Sequence, residues 1–363
     1  MKEVKLQEIC RIEKGKQIDT SQLSTDSPYK YINGGIKESG YYHEYNTDSE
    51  AVLVSEGGAS CGYVNYVNEK FWCGCHCYKL TESKTLAKYL YYALKGNQDK
   101  IMELRSGAAM PNIKKEVFKN MSLLVDFDKN NQQAIVETLD CIQKAINNKA
   151  DELLSLDELV KSRFIEMFGD IDLSPQKSEW TKLSDLGTIY TGTTPSTGDE
   201  TNWDGSILWI TPAEMNDESF FIDNTIRKIT EKGMKSKSLS LMPVGTVLLS
   251  TRAPIGKVGI VAKPMTCNQG FKNFYCPNKL NSVFLYVVLK NNTQYLNAIG
   301  TGTTFKEISK TTCGNIRVPV PPIELQNEFA EFVKLIDKSK FIVQQQIKDL
   351  QELLDSKMDE YFR

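Results

Sequence analysis

The sequence predicts an α+β chain in which two pseudo-symmetric globular domains are joined by two long antiparallel helices that pair as a coiled coil. Three observations lead there: an ordered internal repeat across most of the 363 residues, two heptad stripes without Pro or Gly, and short β-branched runs set between Gly, Pro and Asn turns.

The repeat decides the architecture. KLQEICRIEKG at 5–15 matches KLSDLGTIYTG at 182–192, placing Leu6, Ile9, Ile12 and Gly15 on Leu183, Leu186, Ile189 and Gly192 at a spacing of 177. YIN (31–33) falls on WIT (209–211) at 178 and GYV (62–64) on GKV (256–258) at 194, so the second copy holds about sixteen extra residues within 212–250. YLYYALK (89–95) then matches FLYVVLK (284–290), and SGAAMPNIKK (106–115) matches TGTTFKEISK (301–310), both at 195. On this frame TRAPIGKVGI (251–260) lies over GGASCGYVNY (57–66), with Arg252 opposite Gly58 and Pro254 opposite Ser60.

The ungapped match of 132–168 with 326–362 carries the helices. Mostly apolar residues recur by fours and threes through Ile135, Leu139, Ile142 and Ile146 to Met167, with Lys149 and Arg163 in the same phase, and through Phe329, Val333 and Ile336 to Tyr361, with Lys340 and Lys357 in phase. Such a stripe pairs helices along a seam. Parallel pairing would make the second domain bridge ~55 Å between helix ends, whereas a compact domain of about 150 residues keeps its termini close. Antiparallel pairing follows, with domains at 1–127 and 170–322, a central long helix at 128–169 and a C-terminal one at 323–363.

Within each copy AVLVS (51–55), GYVNYV (62–67), GTVLLS (245–250) and GKVGIVA (256–262) read as strands, paired as hairpins around GGASC and TRAPI. A shorter helix follows in each, at 86–95 and 283–290.

Composition bounds the function. A quarter of the residues are charged and 40% are apolar, as in soluble globular proteins. The net charge of -2 argues against nucleic-acid binding by bulk positive charge but leaves local clusters open. No apolar run approaches ~20 residues and MKEVKLQEIC lacks the apolar core of a signal peptide, so a cytoplasmic setting without a membrane is expected. Nine cysteines then read as reduced, mostly buried thiols.

Catalytic signatures are missing. There is no phosphate loop and no G-x-G-x-x-G opening a helix; the Pro-Pro of VPVPPIEL is not preceded by Asn or Asp; and His43 and His76 are the only histidines. In WCGCHCY (72–78), read as one strand, Cys73, Cys75 and Cys77 share a face that His76 does not, without the spacing of a zinc site. No metal is expected.

The second copy resembles a target-recognition domain of the specificity subunit of type I restriction-modification systems. The resemblance rests on GTTPST (192–197), ILWITPAEM (207–215), VGTVLLSTRAPIGKVGI (244–260), CNQGFKNF (267–274), GTGTTFKEIS (300–309) and VPVPPIELQ (318–326). RFIEMFGD (163–170) is similar to the end of that family's central conserved helix, while the first copy, with YINGGIKESGYY (31–42) and GGASCGYV (57–64), resembles another variant of the recognition domain.

The resemblance implies a non-catalytic subunit that reads a bipartite site in double-stranded DNA and directs adenine methylation and cleavage by partners. Those partners are two methyltransferase subunits docked on the long helices and restriction/translocase subunits. S-adenosylmethionine, ATP and Mg2+ belong to the partners and no cofactor to this chain.

Base edges are read by polar side chains on loops and phosphates by Lys, Arg and backbone amides. The candidates in the second domain are therefore Thr193, Thr194, Ser196, Thr197, Arg252, Lys257, Asn268, Gln269, Lys272, Thr303, Thr304 and Lys306, led by Arg252 because Arg to guanine is the commonest specific contact. In the first they are Asn33, Lys37, Tyr41, Tyr42, His43, Ser60, Asn65, Lys70, His76, Asn112, Lys114 and Lys115. The rival readings are a coiled-coil protein-binding scaffold without DNA specificity and a nuclease of unrecognised type.

Overall fold

A computed structural model describes residues 1–107, 110–215, 220–302 and 306–363. The chain forms two contact units, one of Met1–Glu152 with Val343–Arg363 and one of Leu153–Ile342. Each unit contains a globular domain and part of both long helices, Lys129–Phe168 and Ile323–Phe362.

In the first unit an antiparallel sheet runs in the order Arg11–Lys14, Cys77–Thr81, Ala51–Ser55, Val64–Val67. AVLVS is apolar almost throughout because both faces of its strand are covered. Val52 and Val54 enter the core shared with Tyr89 and Leu90 of the Ala87–Gly96 helix, while Leu53 packs with Ile32, Phe71 and Cys73 of a second, three-stranded sheet. That sheet orders Gly40–Tyr42, Tyr29–Ile32 and Phe71–Cys73.

The second unit repeats this plan. Its sheet orders Thr188–Thr191, Lys272–Tyr275, Val247–Leu249 and Val258–Val261, and Val247 and Leu249 face the helix-side core while Leu248 faces the other. The small sheet again has three strands, Arg227–Ile229, Trp203–Ile210 and Met265–Cys267. The extra residues of this copy fall in two places. Phe221–Ile222 adds a parallel edge strand beside Val258–Val261, and the Glu231–Ser236 helix follows Arg227–Ile229.

The long helices run antiparallel. Within the second unit Asp157 pairs with Lys340 at 2.7 Å and Arg163 with Glu328 at 2.9 Å, so partner numbers fall along one helix as they rise along the other. Within the first unit Ile135, Leu139 and Ile142 share a core with Leu354, Met358 and Phe362. The predicted stripe needs correcting at its ends: Phe164, Met358 and Phe362 are buried where Arg163, Lys357 and Tyr361 were expected. An α-helix drifts about 20° per heptad, and there the stripe turns from the other helix onto the domain core. Phe164 meets Phe329 edge-on at 5.4 Å and stacks on Phe284, each buried ring stabilising the fold by roughly 1.5–3 kcal/mol.

Two buried amides fasten these helices. Gln132 accepts from the Leu86 N–H at 2.8 Å and donates to the Asp126 carbonyl at 2.6 Å; its repeat mate Gln326 accepts from the Asn281 N–H at 2.8 Å and donates to the Pro321 carbonyl at 2.7 Å. Both are fully buried. Each ties the start of a shorter helix to the start of a long one.

WCGCHCY is not one strand. The strand ends at Cys73, residues 74–76 turn, and a new strand begins at Cys77, so Cys75 turns away to Gln17 while Cys73 and Cys77 stay together in one buried cluster. Among the described residues no cluster of His, Cys, Asp and Glu could hold a metal ion, and no helix is long and apolar enough to cross a membrane.

Candidate functional site

Each domain gathers loops around the hairpin turn that follows its central strand. In the first domain the Glu56 N–H donates to the His76 carbonyl at 2.8 Å, the Glu56 carbonyl accepts from Ile113 at 2.8 Å, and Gly58 donates to the Pro111 carbonyl at 3.0 Å. In the second, the Thr251 N–H donates to the Gly270 carbonyl at 2.7 Å and its carbonyl accepts from Ile308 at 2.9 Å. The same three segments meet in both.

This pairing corrects the alignment of the turns. Gly57 bridges Asn112 and Arg252 bridges Glu307, so Arg252 stands opposite Gly57 and not Gly58. Beyond the turn Ser55 bonds Tyr63 as Ser250 bonds Lys257. The first turn therefore contains one more residue, and the copies differ in length as well as side chains at the tip. The closing residue, Gly62 in one and Gly256 in the other, has φ near +80 and +94, where a side chain is strained.

A further loop enters beside each hairpin at Gly15 and Gly192. A Cβ on Gly15 would overlap the Gly74 carbonyl, and one on Gly192 the Cys267 carbonyl. The next N–H bonds the neighbouring strand, Lys16 to Cys73 at 2.9 Å and Thr193 to Cys267 at 3.1 Å. An indole pins the same residue's carbonyl in both domains: Trp72 Nε1 donates to Lys16 at 2.8 Å and Trp209 Nε1 to Thr193 at 3.1 Å. The two tryptophans come from different strands, so the copies reach one geometry by different residues.

Beneath each hairpin lies a carboxylate that motif reading missed. Glu56, itself buried, meets the Lys14 ammonium at 2.7 Å and accepts from the Tyr78 hydroxyl at 3.1 Å. In the second domain Glu307 meets Arg252 at 3.0 Å and Lys272 at 3.3 Å. Burial works to raise the Glu307 pKa, but the hydrogen bonds and charges of Arg252 and Lys272 outweigh it and hold the group below its ordinary value. Burial also pushes the Cys267 thiol up to about 12, which leaves it protonated and unreactive.

In the first domain the structure brings together Asn33, Ser60, His76 and Asn112. The Asn33 Oδ1 accepts from the His76 N–H at 3.1 Å, and Ser60 lies in the hairpin turn that bridges Asn112. Lys37, Lys114 and Lys115 are exposed, with Lys115 in a surface groove beside Arg11 and Glu82. Tyr41 and His43 lie in and just after the Gly40–Tyr42 strand, and Lys70 sits 4.4 Å over the Tyr45 ring. Asn65 is half-buried across from Leu53. Tyr42 is a correction: it is buried edge-on against Trp72, a core residue of the small sheet.

In the second domain Thr193, Thr194, Asn268 and Gln269 are neighbours. The Thr194 hydroxyl donates to Gln269 Oε1 at 2.7 Å, and Asn268 Oδ1 accepts from the Gly270 N–H at 2.9 Å. Ser196, Thr197 and Lys306 are exposed, and Thr303 and Thr304 lie outside the described residues. Two lysines are corrections. Lys272 is buried in the Glu307 pair, and Lys257 donates to the Pro212 and Met215 carbonyls at 3.1 and 2.7 Å. Both hold loops in place. Arg252, although exposed, is held by Glu307.

Residues 1–156 and 175–352 match the family described as the type I restriction modification DNA specificity domain. Over 184 residues the chain is 38% identical to the type I restriction enzyme MjaIX specificity subunit of Methanocaldococcus jannaschii, a match covering 49% of this chain and 43% of that relative, and so under half its length. It is 25% identical over 366 residues to the putative type I specificity subunit S.MgeORF438P of Mycoplasma genitalium, covering 97% of this chain and 91% of the relative. The fold is shared with the crystal structure of a type I restriction-modification system S subunit from M. genitalium, at a TM-score of 0.66 and 20% identity over 100% of this chain and 96% of that one. A chain from a study of complex assembly and conformational transition of the type I R-M system aligns at a TM-score of 0.59 and 14% identity, covering 99% and 97%.

Proposed function

The chain belongs to the type I restriction modification DNA specificity family, and from that premise we propose that it reads a bipartite DNA site as the non-catalytic specificity subunit of a restriction-modification complex. The domain at 1–127 takes one half-site and the domain at 170–322 the other, and methylation of adenine and cleavage of DNA are the work of partner subunits. S-adenosylmethionine, ATP and Mg2+ act in those partners, in the cytoplasm.

One observation carries this reading: both domains close the same loops around an equivalent pinned hairpin yet differ at its tip in length and chemistry, with Gly57 in one and Arg252 in the other. A shared frame with different tips is what two half-sites of different sequence require, since frame contacts position and tip side chains specify. Half-sites are read most easily about one DNA turn, ~34 Å, apart, and the helices at 128–169 and 323–363 set that gap.

The same helices dock two methyltransferase subunits. Leu154, Leu335, Phe341 and Ile342 are 64, 62, 69 and 56% exposed, large apolar residues that a soluble helix would ordinarily turn inward. A scaffold without DNA specificity would use such a face equally well, so DNA binding decides between the readings. A salt-dependent gel shift with random duplex, with and without co-expressed methyltransferase, should show binding that weakens as salt rises. Absence of binding in both settings removes this function in favour of the scaffold, and methyl transfer or cleavage by the purified chain alone contradicts the non-catalytic role.

A further inference from the structure

The sequence favours Arg252 as the guanine reader of the second domain, but Arg252 Nη2 is engaged by Glu307 at 3.0 Å. Arg317 is engaged as well, its Nη1 donating to the Ser178 and Trp180 carbonyls at 3.3 and 2.6 Å. The third arginine between 170 and 322 is Arg227. It is exposed, and among the described residues its guanidinium has no carboxylate or carbonyl partner.

Its position is nevertheless fixed. Arg227 stands directly across from Trp209 in the small sheet, and its guanidinium carbon lies 3.5 Å from the centre of the Trp203 ring and 5.8 Å from that of Trp209. The two indoles meet edge-on at 5.1 Å. These are also the rings that hold the Thr193–Thr197 loop: Trp209 Nε1 donates to the Thr193 carbonyl and Trp203 Nε1 to the Ser196 carbonyl, each at 3.1 Å. Arg227 therefore shares a rigid aromatic support with the loop that carries Ser196 and Thr197.

Stacking occupies the face of a guanidinium and leaves its edge, with the N–H fork, free. That edge matches the O6 and N7 acceptors of guanine in the major groove. On the reading that the domain binds DNA, we propose that Arg227 is the guanine-reading arginine of the second half-site, oriented by Trp203. The register of the small sheets places Gly40, opposite Tyr31, at the matching point of the first domain. The first half-site has no counterpart to this contact.

The test is selection of bound sequences from a random duplex pool by the full chain with its co-expressed methyltransferase, with titration of the selected site by fluorescence anisotropy. Arg227→Ala should weaken binding to the selected site about tenfold to a hundredfold, the range of one bidentate base contact. It should also relax one guanine in the second block alone. Arg227→Lys should restore neither, because an ammonium lacks the fork, while Gly40→Ala leaves the second block intact. A uniform loss across all sequences with a shallower salt slope, rescued by Lys, would identify a phosphate contact and overturn the proposal. Unchanged affinity and preference would also overturn it. If the unsubstituted complex selects no sequence, the DNA reading itself fails, and that outcome is distinguishable from the others.

Discussion

Replacing Glu307 by Ala removes the carboxylate from under the second hairpin and leaves the ammonium of Lys272, a residue 8% exposed, with only the Thr251 hydroxyl at 3.4 Å among the described residues. Breaking a fully buried pair costs roughly 3–5 kcal/mol. Here the Glu307 and Arg252 side chains are 36 and 47% exposed, so solvent screens part of the interaction and about 2 kcal/mol is expected. For a domain of this size that lowers the Tm by about 4–8 °C, measurable by differential scanning calorimetry. The pH dependence gives a second reading. Because Glu307 titrates below its ordinary value of 4.5 in the folded chain, its stabilisation is complete above that pH and is lost as the pH falls through the folded pKa. The Tm gap between the natural chain and the variant should therefore narrow on acidification. A gap under about 1 °C at neutral pH, or one that widens in acid, refutes the account of the hairpin's support.

Gly192→Ala should push the loop at 193–197 off the Cys267 strand and weaken recognition by the second domain; Gly198→Ala, whose Cβ meets only Ser196 Oγ at 4.0 Å, serves as the silent control in the same binding titration. Gln326→Leu strands the Asn281 N–H and the Lys279 and Pro321 carbonyls, costing roughly 2–4 kcal/mol, and hydrogen exchange at Asn281 should accelerate. Phe341→Ser combined with Leu154→Ser should leave thermal stability within about 1 kcal/mol, because both side chains are exposed, while abolishing methyltransferase co-purification; retained co-purification places the dock elsewhere.

The repeat made most of the fold legible. A strand covered on both faces must be apolar throughout, so AVLVS and TVLLS announced themselves, and the helix stripes followed from burial along a seam. Loops of the candidate site were legible as Gly-marked motifs, because Gly15 and Gly192 approach backbone too closely for a side chain. Individual contacts were not. Whether a lysine is free depends on partners far along the chain, and Glu307 consumes Lys272 from 35 residues away while Pro212 and Met215 consume Lys257 from 45 and 42. Arg227 is not marked by the repeat because the extra residues on either side of it break the sequence alignment there, and only the register of the small sheets sets it against Gly40. The one-residue difference between the turns was invisible for a related reason. GYV and GKV align cleanly on one side, and only the bridges to Asn112 and Glu307 reveal the offset on the other.

The central claim, that two domains with a common frame read two different half-sites, is tested most directly by sequence selection with and without a change in one domain. The full chain with its methyltransferase should enrich two short blocks separated by a fixed gap, and Ser60→Ala together with Asn112→Ala should degrade one block while leaving the other and the gap unchanged. A single contiguous motif, or loss spread evenly over both blocks, would contradict it.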